Sequence, residues 1–358
     1  MKMHLNSIKR IAVFVLLLWA SSSIYGQLSK VHYIPPLTIS EELSNNAPNQ
    51  QWIYISTPFN SNVQYVITPL GGGSDIIGLV SNSAPQKYST IGTSSDLYNT
   101  QLIVPRLDTG NLSGLNNKGY IIEAEKPIYV SIRLSSSDQA GALVSKGEDA
   151  LGEEFLLGSF VNQGQNGDGL LNFFSILATE NNTIIQVEFP KTVSIENHTG
   201  SYPLNITLDK NESYVGLLDL GGSNPDGNRD GLLGAKVTSN YPIVVNTGST
   251  SGTNANSAGG RDFGIDQIVD TDFADLEYIF VRGAGNDDWE NVMIVPTQPN
   301  TTITINGNKT VTISGAYYEI DGSDYINGNM FVRSDKPVVA YQSIGGEMVP
   351  QNQGMFYV

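Results

Sequence analysis

From Gln51 to Thr57 the chain alternates, with Trp52, Tyr54 and Ser56 on one face and Ile53 and Ile55 on the other. That period of two predicts a half-buried strand. Val63 to Ile67 reads as its hairpin partner, and Gly119 to Leu134 predicts two more strands around a proline turn. Phe155 to Phe160, Phe173 to Ala178, Thr183 to Phe189, Ser213 to Leu218, Leu276 to Arg282 and Asn291 to Val295 continue the series. Near the end, Thr301 to Ile305 and Lys309 to Ile313 alternate on either side of Asn306-Gly307. Asn-Gly suits a type I′ hairpin turn, because both central residues must tolerate positive φ. No long stretch has the helical period, so the fold class is all-β.

One phrase returns three times: Glu125-Lys126-Pro127-Ile128-Tyr129-Val130, Asn240-Tyr241-Pro242-Ile243-Val244-Val245 and Asp335-Lys336-Pro337-Val338-Val339-Ala340. A second precedes two of these, Asn182-Thr183-Ile184-Ile185-Gln186-Val187 and Asn300-Thr301-Thr302-Ile303-Thr304-Ile305. Repetition of this kind predicts one β-rich unit copied along the chain. The expected division is an extended N-terminal arm at 27–49, β modules at 50–137, 154–250 and 276–358, and linkers at 138–153 and 251–275. Sandwich-like packing of the modules is the first expectation, and a closed pseudo-symmetric arrangement such as a propeller or prism the alternative. The chain stops at Met355-Phe356-Tyr357-Val358, inside an expected strand, which suggests a fragment of a longer protein.

Residues 1–26 read as an export signal. Lys2, Lys9 and Arg10 precede the apolar run Ile11 to Ala20, and Gly26 is a plausible cleavage point. Ten apolar residues are about half of the roughly 20 that span a bilayer, so the mature chain is expected to be secreted or at the cell surface without membrane insertion. Composition sharpens this. There are 35 Asp and Glu against 19 Lys and Arg, a net charge of −16, which becomes −19 when the three signal cations leave with no acid. Such a surface repels nucleic acid. Cysteine is absent, which removes disulfides, thiolate catalysis and Cys-based zinc sites.

The residues also carry a resemblance. Gly260-Arg261-Asp262-Phe263-Gly264-Ile265-Asp266-Gln267-Ile268-Val269, Glu277-Tyr278-Ile279-Phe280-Val281-Arg282-Gly283, Asn329 to Pro337, Tyr341 to Gly346 and Asn352-Gln353-Gly354 resemble bacterial members of the IgGFc-binding protein N-terminal domain family. Gln27 to Pro36 is similar to the mature start of such proteins in gliding Bacteroidetes. The resemblance implies an all-β extracellular domain of a larger surface or secreted protein, often one with a type IX sorting domain. The animal protein that names the family has cysteines in the corresponding region and this chain has none, so antibody binding is not carried over.

Chemistry is sparse. His32 and His198 lack metal-ligand partners at a recognisable spacing and read as packing or exposed residues. Gly248-Ser249-Thr250-Ser251-Gly252 has Thr at its centre and fails the nucleophile-elbow pattern. No catalytic residues and no obligatory cofactor are expected. Asp226, Asn228 and Asp230 before Gly231 form the first half of a calcium-type loop, but Val237 stands where a bidentate Glu should be. A Ca²⁺ half-site is one reading and a structural turn the other. Asn166-Gly167-Asp168-Gly169-Leu170-Leu171 partly echoes it. Asp287, Asp288 and Glu290 cluster with Trp289, whose ring suits stacking on a sugar, and 283–291 and 250–266 are the expected ligand loops. The leading expectation is a non-catalytic extracellular adhesion or binding module for glycans or glycoproteins. The alternatives are a structural spacer and a polysaccharide-degrading enzyme.

Overall fold

The three proline phrases do not separate strands; each lies inside one long strand. A computed structural model describes residues 27–40, 47–115, 118–137, 139–162, 169–222, 224–254, 261–345 and 354–358. The export-signal segment 1–26 and Asn166 to Asp168 lie outside them. The first module contains β1 (Ser29–Ile34), β2 (Leu37–Thr38), β3 (Gln50–Ser56), β4 (Val63–Pro69), β5 (Ile76–Val80), β6 (Gln86–Ser89), β7 (Ile103–Val104), β8 (Tyr120–Ser135) and β9 (Ala140–Val144). The second contains β10 (Gly152–Leu156), β11 (Leu171–Ala178), β12 (Thr183–Glu188), β13 (Leu204–Leu208), β14 (Ser213–Asp219), β15 (Lys236–Gly252) and β16 (Asp262–Ile268). The third contains β17 (Asp275–Val281), β18 (Val292–Pro296), β19 (Thr302–Ile305), β20 (Lys309–Thr312), β21 (Tyr318–Ile320), β22 (Asn329–Ile344) and β23 (Gly354–Tyr357).

Each module is a seven-stranded antiparallel sheet built on one plan. The first half of the long strand (β8, β15 or β22) is flanked by the module's first strand and by a hairpin, β4–β5, β12–β13 or β19–β20. The second half is flanked by β3, β11 or β18 on one side and β9, β16 or β23 on the other. A strand that bends and passes between sheet layers is the usual way to turn such a corner. Here the bend curls each sheet into a nearly closed, barrel-like form around its own core.

The proline sits at that corner for a physical reason. Opposite the first strand, Ser29 pairs with Ile128 but Val31 pairs with Glu123, so 124–127 loop out against Lys30 alone. The same shift places 239–242 opposite Glu153 and 334–337 opposite Leu276. Each bulge ends on the proline, whose missing N–H costs no ladder bond there.

Three expectations are corrected here. Gly119 to Leu134 is one bent strand, not two. β4 does not pair with β3, because β8 lies between them and takes one on each half. The segments read as linkers also carry strands, β9 and β16, and the arm carries β1. Ala140-Gly141-Ala142-Leu143-Val144 gives little alternation signal, since small residues suffice where another module packs closely: a Cβ at Gly141 would meet Phe263 at 2.3 Å. The Asn306-Gly307 hairpin forms as read, with φ of 50° and 73°, and the Asn308 N–H closes the turn on the Ile305 carbonyl at 3.1 Å.

The modules share cores. Leu171, Phe173, Leu217, Phe263 and Ile265 of the second pack into the first, and Met293, Val295, Val339, Tyr341 and Met355 of the third pack into the second. At roughly 1.5–3 kcal/mol per fully buried apolar side chain, these contacts bind the modules into one body. A polar seam accompanies them. Asp266 on β16 accepts from Lys146 Nζ at 3.2 Å and from the Tyr357 N–H at 3.0 Å, touching the first and third modules together.

Candidate functional site

β3 presents two aromatic residues on the face opposite its buried isoleucines. Ile53 and Ile55 fill the first module's core, while Trp52 and Tyr54 stand half-buried on the outside. Antiparallel pairing sets Trp52 across from Arg133 and Tyr54 across from Ser131 on β8, and Tyr54 across from Lys87 on β6. Lys87 Nζ lies 4.0 Å from the centre of the Trp52 ring, and the Arg133 guanidinium carbon lies 4.6 Å from that of Tyr54. Contacts of this kind contribute about 0.5–1 kcal/mol at exposed sites.

A groove of about 530 Å³ runs from this face across β9 to Phe263 of the second module and Ile344 and Phe356 of the third. That is within the roughly 300–1,000 Å³ of ordinary ligand clefts. Gln50, Ser131 and Ser135 supply polar groups along it. A second groove, about 360 Å³, shares Tyr54, Ser131 and Arg133 and extends to Tyr129 and Pro85. Broad apolar rings beside fixed hydrogen-bonding groups are suited to a sugar ring, which offers C–H bonds on its faces and hydroxyls at its edge.

The other two modules show what this face is. The second, fourth and sixth residues after the corner proline share one side of the long strand. In the second module they are Val244, Asn246 and Gly248, and in the third Val339, Tyr341 and Ser343, all buried. Each set lies against the preceding module: Asn246 Nδ2 donates to the Pro35 carbonyl at 3.1 Å, and the Tyr341 hydroxyl donates to the Leu156 carbonyl at 2.5 Å. In the first module the corresponding residues are Tyr129, Ser131 and Arg133, of which Tyr129 and Arg133 are exposed and Ser131 half-buried. A face that is buried against a neighbour twice is here aromatic, cationic and open.

The residues singled out in the sequence lie elsewhere and do not converge. Asp226 is exposed and pairs with Arg229 at 3.3 Å. Asn228 is buried, its amide bonded to the Ser194 and Asp219 backbone. Asp230 pairs with Lys191 and accepts from the Tyr317 hydroxyl of the third module at 3.0 Å. Among the described residues, no three His, Asp or Glu side chains gather as a metal cluster. Asp287 pairs with Arg282 at 2.7 Å, and Asp288 is half-buried. Trp289 and Glu290 turn inward. Glu290 is fully buried, with its two oxygens accepting the N–H groups of Gly283, Gly285 and Gly345 at 2.7–3.0 Å. The loop 250–266 is largely strand β15 and β16, with 255–260 outside the described residues. Thr250 lies buried inside β15.

His32 is fully buried on β1. Its Nε2–H donates to the Ile128 carbonyl at 3.0 Å, and Nδ1 lies 3.0 Å from Ser145 Oγ. Burial pulls its pKa down to about 4, against the backbone hydrogen bonds that favour the charged ring. Asp266 is raised by burial despite Lys146 beside it. Asp266 joins modules, His32 ties β1 to β8 within the first, and neither lines the groove.

Trp52 and Tyr54 were read only as strand residues. The available signal was a strand whose two faces are both hydrophobic, with cations at Lys87 and Arg133 to meet one of them.

A protein-family model described as IgGFc binding protein matches residues 140–358. That span takes in β9 and the second and third modules, and leaves Trp52, Tyr54, Lys87 and Arg133 outside it. No curated protein matches the chain, and no solved structure does. Among the described residues, no helix is long and apolar enough to cross a membrane.

Proposed function

The chain belongs to the IgGFc binding protein family, and from that premise we propose a non-catalytic extracellular binding module whose ligand is a glycan or glycoprotein held on the Trp52–Tyr54 face. One observation carries the reading: the face that seats on a neighbouring module in the second and third repeats is open in the first and bears Trp52, Tyr54, Lys87 and Arg133. The acidic charge, the apolar N-terminal run and the sugar-sized groove support an exported protein acting at the cell surface. With Glu290 turned inward and Asp230 engaged, no carboxylate pair among the described residues is poised over the groove, which favours binding over hydrolysis.

The test is retention of the purified chain on an array of glycans and mucin-type glycoproteins, in calcium and again in chelator. Trp52→Ala should lose at least tenfold in affinity while remaining folded by circular dichroism. Full retention by a folded Trp52→Ala protein would sink the assignment to this face. Retention that vanishes in chelator would bring calcium into the function and direct attention to Asp226.

A further inference from the structure

We propose, building on the glycan reading above, that the ligand carries a carboxylate or sulfate group and that Arg133, with Lys87, receives it. Acids outnumber bases by 35 to 19 in this chain, so an ordinary patch of its surface should contain carboxylates. Among the described residues lining the two grooves at Tyr54, none is acidic. Elsewhere the cations are mostly matched: Arg106 with Glu196 and Asp219, Lys146 with Asp266, Lys236 with Glu154, Arg333 with Glu277. Arg133 and Lys87 are exposed and lie over ring faces, with no ion pair to a carboxylate among the described residues.

That arrangement leaves usable charge. An ion pair would cancel the cation locally, whereas a ring face beneath it leaves the charge in place. A guanidinium stacked on a tyrosine keeps its edge N–H groups directed outward, and the same fork matches the two oxygens of a carboxylate or sulfate. Tyr54 thereby orients Arg133, and Trp52 does the same for Lys87 at the other end of the pair. The remaining acidic surface repels anions in general, so an anionic group is favoured at this spot and few others. A neutral sugar would use the rings and leave both cations idle.

The experiment measures binding of the purified chain to one mucin that is both sialylated and sulfated, before and after sialidase and before and after desulfation. Wild type is compared with Arg133→Gln and Lys87→Gln. The expected result is at least a tenfold loss when the relevant group is stripped, with the two enzymatic arms saying whether it is carboxylate or sulfate. Arg133→Gln should bind native mucin as weakly as wild type binds stripped mucin, and should itself be indifferent to stripping. Equal binding of native and fully stripped mucin by wild type would overturn the anionic inference and leave the glycan reading standing. No binding to any form would overturn the glycan reading, and this inference with it.

Discussion

The hydroxyl of Thr57 donates to the carbonyl oxygen of Pro127 at 3.1 Å, and the bond recurs as Thr297 to Pro337 at 2.7 Å and as Thr179 to Pro242. In each module a threonine just past the strand paired with the long strand's second half holds the carbonyl at the corner. At Pro337 the Thr297 N–H also reaches the carbonyl, at 3.3 Å, so the hydroxyl adds a shorter second bond at the corner. Thr297→Val keeps the shape and the backbone N–H bond but removes the hydroxyl donor, so it should cost about 1 kcal/mol in urea unfolding. An unchanged midpoint would show that water serves the carbonyl equally well.

The proline itself should matter less than its bond partner. Pro337→Ala adds an N–H inside a bulge that already lacks a ladder partner, and frees the unfolded chain slightly. The expected loss is under about 1 kcal/mol. Val339→Pro, two residues on, would remove a ladder donor from a buried strand and should cost about 3 kcal/mol or more. Comparing the two by denaturant unfolding tests whether the corner tolerates proline or requires it.

His32 makes stability depend on pH. Its folded pKa of about 4 lies below the ordinary 6.5, so between these values the unfolded chain binds the extra proton. The contribution is fully present above pH 6.5, is lost progressively as pH falls towards 4, and amounts to about 3 kcal/mol. Carboxylates also titrate at the lower end, so the informative comparison is with His32→Asn. Between pH 7 and 4.5 the variant should lose less stability than wild type. An equal loss would place the pH dependence elsewhere.

Glu290 holds the 283–290 loop through three backbone N–H groups. Glu290→Gln keeps the size but turns an NH₂ towards donors, leaving at least one N–H without an acceptor. The expected cost is about 2 kcal/mol, read as a lower melting temperature, with glycan retention unchanged. Lost retention in a folded Glu290→Gln protein would return this loop to the binding surface.

Much of this was legible locally. Ile53 and Ile55 against Trp52 and Tyr54 announced a strand and its two faces, and the Asn306-Gly307 turn was readable because positive φ is a property of those two residues. The three proline phrases gave the repeat. The Asp-rich segment at 226–230 and the cluster at 287–290 drew attention because acids and a tryptophan look chemical in a string of letters. Nothing in that string says that Glu290 folds back on its own loop or that Asp230 is taken by Lys191 and Tyr317.

By itself, then, the sequence determined many of the strands, the threefold copying and the all-β class, because alternation and turn preference depend on neighbours a few residues away. Tertiary structure alone decided that β8 bends at Pro127 and carries β3 and β4 on separate halves, since pairing partners are chosen by burial over tens of residues. It also decided the site. Whether the outer face of a strand is core or surface depends on the module seated against it: Val339 meets such a module, whereas Tyr129, at the same position in the repeat, faces solvent.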